Sequence, residues 1–133
     1  MDQPNFLISV VDDNESIREA LPDLLRALGF AAETFETAET FLSSDAVDAS
    51  RCLILDVSLP GMSGPELQRE LQRRRPGLPI IFITAQIDSS LRERLLAAGA
   101  VACLFKPFSP SELQSVLDEV LGALRAEQSK ILS

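Results

Sequence analysis

Three carboxylates, a hydroxyl and an amine stand at matching places in this chain: Asp12 with Asp13, Asp56, Thr84 and Lys106. Each closes an apolar run. FLISVV stops at Asp12-Asp13, RCLIL at Asp56, PIIFI at Thr84 and VACLF at Lys106-Pro107. If these runs are parallel strands, all five residues meet at one edge of one sheet, the edge where open α/β sheets place their chemistry. Three neighbouring carboxylates repel one another unless a cation lies between them. Mg2+ suits oxygen ligands and keeps several waters, so two carboxylates and one carbonyl are sufficient protein ligation. A carboxylate that attacks phosphorus gives a mixed anhydride, and Asp56 is the candidate nucleophile. That chemistry asks mainly for positioning and for neutralisation of the equatorial phosphoryl oxygens. Mg2+, the Lys106 amine and the Thr84 hydroxyl can share the task.

Each residue also has a plainer account. Asp12 and Asp13 can cap a helix beside Glu15, Thr84 can be an ordinary strand-end threonine, and Lys106 a solvated loop lysine. Their shared placement after four apolar runs separates the two accounts. The Lys106-Pro107 bond, directly after a strand, is a place where a cis peptide could fix the direction of the amine.

Strand-like and helix-like periodicities alternate five times along the chain, the pattern of a doubly wound sheet with helices on both faces. After Phe6 to Val11, one helical face carries Ile17, Leu21, Leu24, Leu25 and Leu28, and Gly29 is its C-cap. Pro22 lies inside that helix and predicts a bend. Ala31 to Phe35 reads as a strand, and Thr37 caps a short helix bearing Ala38, Phe41 and Leu42. SSDAVDAS reads as loop. Cys52 to Leu55 is a buried strand. Ser63 and Glu66 then form a capping-box pair for a helix built on Leu67 and Leu71. Ile80 to Ile83 is wholly apolar, as expected of a strand buried on both faces. Leu91, Leu95 and Ala98 mark the next helix, closed by Gly99. After Val101 to Phe105, Ser109-Pro110-Ser111-Glu112 opens the last helix, with Leu113, Val116, Leu117, Val120, Leu121 and Leu124 on one face. Residues 126–133 read as a frayed helix end or the start of a linker, leaving 1–125 as the domain.

With 133 residues, 46% of them hydrophobic, the chain fits one domain that buries a core without metal or disulfide staples. Twelve Lys and Arg against 20 Asp and Glu give a net charge of -8, which repels nucleic-acid backbones and anionic lipid. No apolar run approaches the roughly 20 residues of a membrane helix, and MDQPNF lacks the features of a signal peptide. The expectation is a cytoplasmic protein. Cys52 and Cys103 lack CxxC spacing and read as small core residues; on strands with another between them they lie roughly 10 Å apart, beyond disulfide reach. Histidine is absent, so a phosphohistidine donor would have to come from outside.

The segments VVDDNES, LILDVSLPGMSGPEL, IFITA and LFKPF, in this order, resemble the receiver domain of two-component response regulators, the CheY-like fold. The resemblance runs from about Phe6 to about Leu124, and VVDDNESIREAL with LLRALGF is similar to the FixJ type. It implies a five-stranded parallel sheet of order 2-1-3-4-5, flanked by five helices; the handedness and strand order of such folds are well established. It implies Asp56 as phosphoacceptor, Asp13 and Asp56 as direct Mg2+ ligands, Asp12 reaching the metal through water, and the Ser58 backbone carbonyl completing the set. Thr84 would be the switch hydroxyl and Lys106 the phosphate counter-ion, joined to Pro107 by a cis peptide. The chain would act as a signalling phosphoacceptor that assists its own Mg2+-dependent phosphorylation and dephosphorylation. A sensor histidine kinase would be the donor, a phosphorylation-dependent homodimer the product, and a DNA-binding output domain could follow in a longer protein.

One departure concerns the position three before the lysine, where many members carry an aromatic residue that moves with the threonine. Here it is Cys103, so the coupled switch cannot run in its usual form, and the surface of the fourth helix, fifth strand and fifth helix must respond by another route. Phe105, one residue from Lys106, is expected on the other face of the strand. Ser58 and Gln86 occupy the positions that tune phosphoryl lifetime in the family. Other functions fit less well. A dehalogenase-like phosphatase usually has a second acid two residues after the nucleophile, where Ser58 stands. A flavodoxin-like nucleotide binder needs a Gly-rich phosphate loop where Asp12-Asp13 would repel an anion. A purely structural receiver would have no use for the complete acid, threonine and lysine set.

Overall fold

The computed structural model describes residues 6–86 and 88–132, with side chains of the last helix described as far as Gly122. The strands are β1 (Leu7–Val11), β2 (Ala31–Phe35), β3 (Ser50–Asp56), β4 (Ile80–Thr84) and β5 (Ala102–Phe105). The helices are α1 (Glu15–Ala27), α2 (Ala38–Leu42), α3 (Ala46–Ala49), α4 (Gly64–Arg74), α5 (Ser89–Ala97) and α6 (Pro110–Leu132). All neighbouring strands are parallel, in the order β2-β1-β3-β4-β5. This is the doubly wound sheet the sequence predicts.

Strand alternation sorts the core into two layers. Leu53, Leu55, Ile80 and Phe82 pack with Phe41, Leu67, Leu71 and Leu95 on the face covered by α2 to α5. Cys52, Ile54, Ile81 and Ile83 point the other way, onto Leu21 and Leu25 of α1 and Leu113, Leu117 and Leu121 of α6. Every residue of β4 is buried, which is why its sequence shows no polar alternation. The two cysteines fall in opposite layers and are free thiols.

There are six helices rather than five. The stretch SSDAVDAS, read as loop, contains the four-residue helix α3. One turn is too short to show a period. It forms because Ala46 and Val47 are buried and because serines hold both its ends. Ser44 Oγ accepts the Ala46 N–H at 3.2 Å, and Ser50 Oγ donates to the Ala46 carbonyl at 2.6 Å. Ser9 Oγ lies 2.7 Å from Ser50 Oγ, so a buried hydroxyl chain ties this turn to β1 and β3.

The predicted N-terminal caps of α2, α4 and α6 are present, whereas the C-cap of α1 is Leu28 and Gly29, with φ of +98°, follows it. Thr37 Oγ1 accepts the Thr40 N–H, Ser63 and Glu66 form a full capping box, and Ser109 Oγ accepts the Glu112 N–H. At α1 the cap is Asn14, whose side chain accepts from the Ser16 and Ile17 N–H groups. Helix α1 continues through the buried Pro22. Helix α6 carries helical backbone through 126–132.

Candidate functional site

Parallel pairing aligns the C-terminal ends of β1, β3, β4 and β5 and thereby gathers residues far apart in sequence. Val11 is registered with Leu55, so Asp12 and Asp56 leave their strands side by side. Asp56 is registered with Ile83, one residue before Thr84, and Thr84 with Phe105, one residue before Lys106. One oxygen from each of Asp12, Asp13 and Asp56 lies within 4.8 Å of the others. Asp12 is fully buried, Asp56 nearly so, and Asp13 is exposed at the mouth.

Asn14 settles the plainer account of the first two acids. Because it caps α1, neither aspartate is needed there. Asp12 Oδ1 instead accepts the Asn14 N–H at 2.9 Å, turning the chain out of β1. Arg18, one turn into α1, donates to the Asp12 carbonyl at 2.9 Å and fixes the same turn. The buried Asp12 Oδ2 receives no hydrogen bond of good geometry and faces Lys106 Nζ at 2.9 Å as an ion pair. Lys106 Nζ also lies 3.6 Å from Asp56 Oδ1. One ammonium therefore serves two buried carboxylates while Asp13 adds a third negative charge.

Burial, together with that imbalance, raises the pKa of Asp56 to about 6. Burial is the largest cause, followed by the Asp12 charge; Lys106 and a backbone hydrogen bond from Ser58 oppose it, and Asp13 adds a smaller push upward. Three crowded carboxylate oxygens served by a single ammonium form a donor set suited to a hard divalent cation, which would relieve the repulsion. The residues fit such an ion.

Thr84 is buried at the end of β4, and its Oγ1 accepts the Gln86 N–H at 3.0 Å, leaving the O–H as a donor. The Lys106 N–H donates to the Thr84 carbonyl at 2.8 Å, and the Lys106–Pro107 peptide is cis. Cys103 and Phe105 border a cavity of about 620 Å3 between α5 and α6, with Arg92 and Glu112 on its walls.

Gly64 is a site residue whose role lies in contact rather than chemistry. A Cβ there would collide with the Asp56 carbonyl, and would lie 3.0 Å from Val57 Cα and 3.1 Å from the Phe82 ring. The first turn of α4 is thus packed against the backbone of Asp56 itself. The glycine is visible in the sequence as the end of the DVSLPGMSG run; the contact is not. Arg18 carries no sequence signal at all.

The three carboxylates, the Thr84 hydroxyl and the Lys106 amine thus collect at the C-terminal edge of a doubly wound parallel sheet. The family model "Response regulator receiver domain" matches residues 8–118, and the chain belongs to that family. It is similar to Nodulation protein W of Bradyrhizobium diazoefficiens, 40% identical over 93% of this chain and 53% of that protein. It is also similar to the response regulator protein TodT of Pseudomonas putida, 40% identical over 90% of this chain and 50% of the other. The chain thus spans about half the length of these curated relatives. Among solved structures, the response regulator StyR superposes with a TM-score of 0.82 at 40% identity, over 97% of this chain and 66% of that one. The BeF3-activated receiver domain of DrrB superposes with a TM-score of 0.81 at 33% identity, over 90% and 99% of the two chains. FixJ itself is one relative among several, 31% identical over 86% of this chain and 56% of its own length. Among the described residues no helix is long and apolar enough to cross a membrane.

Proposed function

We propose that Asp56 is the phosphoacceptor of a two-component signalling switch. The observation that carries this reading is the pairing of one ammonium, Lys106, with both Asp12 and Asp56 in a three-carboxylate pocket. An Asp56 oxygen forms a bond to phosphorus while the bond from phosphorus to the imidazole nitrogen of a phosphohistidine breaks, leaving that imidazole on the donor. Asp13 and Asp56 would hold Mg2+ directly, the Ser58 carbonyl would join them, and Asp12 would reach the ion through water. Bound there, Mg2+ supplies positive charge to the equatorial phosphoryl oxygens. Lys106 supplies charge from the β5 side, and the Thr84 O–H can donate to one phosphoryl oxygen. The BeF3-activated DrrB domain supports the reading, since a trifluoroberyllate group has the shape and charge of a phosphoryl group.

The donor that membership in the receiver family implies is a sensor histidine kinase, consistent with a chain that has no histidine of its own. We assign the cytoplasm as the compartment and residues 1–125 as the receiver, with 126–133 as a tail or the start of a linker. The family match, over residues 8–118, lies within that receiver range. The relatives' greater length and the name "Transcriptional regulatory protein FixJ" support a DNA-binding output domain in a longer protein. Phosphorylation favours a homodimer through the α5, β5 and α6 surface. With Cys103 in place of an aromatic residue, the movement of Thr84 reaches that surface through the strand backbone rather than through a ring.

Intact-mass measurement after incubation with Mg2+ and acetyl phosphate tests the chemistry. A single phosphoryl adduct, lost in Asp56→Asn and in chelator, is expected; no adduct on folded wild-type protein refutes it. An adduct that leaves the sedimentation coefficient unchanged refutes the dimer.

A further inference from the structure

We propose that Glu39, on α2, is a positioning residue for the acidic site, acting through the loop 57–63 that follows Asp56. The inference deepens the receiver reading and rests on it.

Two contacts place Glu39 at the loop's tip. Its Oε2 accepts the Met62 N–H at 3.0 Å across 23 residues of sequence. The neighbouring Gly61 has φ of +71°, and a Cβ there would lie 2.7 Å from the same oxygen. Glycine is favoured at 61 by its backbone conformation. The loop's base is closed separately. The Gly64 N–H donates to the Val57 carbonyl at 3.1 Å, and Gly64 packs on the Asp56 carbonyl. Ser58, Pro60 and Gly61 are exposed, while Leu59 is buried in the core and Met62 packs against it, so the tie to Glu39 adds a polar anchor to a loop that packing holds only in part.

Glu39 can serve as an anchor because α2 is itself fixed. Ala38 and Phe41 are fully buried, Thr37 caps the helix, and the Phe41 ring meets Phe35 edge-on at 5.3 Å. The chain of support runs from the β2 edge through α2 and Glu39 to the loop. The loop in turn carries the Ser58 backbone hydrogen bond that acts on Asp56 and the carbonyl assigned to the cation. Loss of a group that supports metal ligands typically weakens metal binding about 10–100-fold. Glu39 acts one step further out, so about fivefold is expected.

The test compares wild type, Glu39→Ala and Glu39→Gln as full chains, following Mg2+ affinity by amide NMR titration and the hydrogen exchange of the Met62 amide. Glu39→Ala should accelerate Met62 exchange and weaken Mg2+ about fivefold or more, while Glu39→Gln, which keeps an acceptor oxygen, should stay within about twofold of wild type on both. Faster Met62 exchange with unchanged Mg2+ affinity in Glu39→Ala overturns the proposal, as does unchanged Met62 exchange. Equal weakening in Glu39→Gln also overturns it, because the effect would then be one of charge. If folded wild type binds no Mg2+ at millimolar concentration, the receiver reading falls first and this inference with it.

Discussion

Replacing Asp56 by Asn should stabilise the metal-free protein, and the gain should depend on pH. In the folded chain burial and Asp12 raise the Asp56 pKa from 3.8 to about 6. Well below pH 3.8 the carboxyl is protonated both folded and unfolded, and it contributes no difference. As pH rises toward 6 the unfolded chain gives up this proton first, so the folded state loses stability; well above 6 the cost is complete and constant. A shift of about two units at 1.36 kcal/mol each sets a ceiling of about 3 kcal/mol. Water at the Asp13 side of the pocket screens part of it, which leaves about 1–2 kcal/mol. Asn keeps the shape without the charge. For a chain of this size the corresponding rise in Tm is about 3–8 °C. The assay is thermal unfolding of wild type and Asp56→Asn in chelator across pH 4 to 8, read as the difference between the two proteins so that other carboxylates cancel. The difference should be smallest at pH 4 and should grow through pH 6 to a plateau about one unit above it. A difference that is constant with pH, or that shrinks as pH rises, would refute the assignment of strain to this carboxylate.

Mg2+ at about 100 times its Kd should raise wild-type stability by about 2.7 kcal/mol and Asp56→Asn by clearly less, a contrast that thermal unfolding with and without the ion measures. Lys106→Ala leaves the buried Asp12 Oδ2 facing no cation and should cost about 1.5–3 kcal/mol in metal-free urea unfolding; an unchanged midpoint would show that the ion pair is already compensated by water. Gly64→Ala drives a methyl into the Asp56 carbonyl and the Phe82 ring, so about 1–3 kcal/mol of stability should be lost together with most acetyl-phosphate labelling, whereas full labelling at wild-type stability would mean that α4 can retreat without moving Asp56.

Much of this molecule is written locally. The apolar runs ending in Asp12, Asp56, Thr84 and Lys106 state both the strands and the edge on which chemistry collects, because a strand's period and its polar stop need no knowledge of neighbours. Thr37, Ser63 and Ser109 announce their helices for the same reason, since a cap is a bond within four residues. Helix α3 escaped because a single turn has no period, and its stability comes from Ser50 and from burial of Ala46 and Val47. Which residue caps α1 could not be read either: Asp12, Asp13 and Asn14 are all able to, and only the exit direction of β1 decided that Asn14 does and that Asp12 is left for the pocket. The raised pKa of Asp56, the sharing of Lys106 between two acids, the closeness of Gly64 to the Asp56 backbone and the reach of Glu39 to Met62 are all products of register and crossover. They join positions more than 20 residues apart or depend on angstroms of approach, and a linear sequence records neither. Sequence determined which groups could do the chemistry; the tertiary structure decided their distances, and with distance comes the electrostatic energy on which such a site depends.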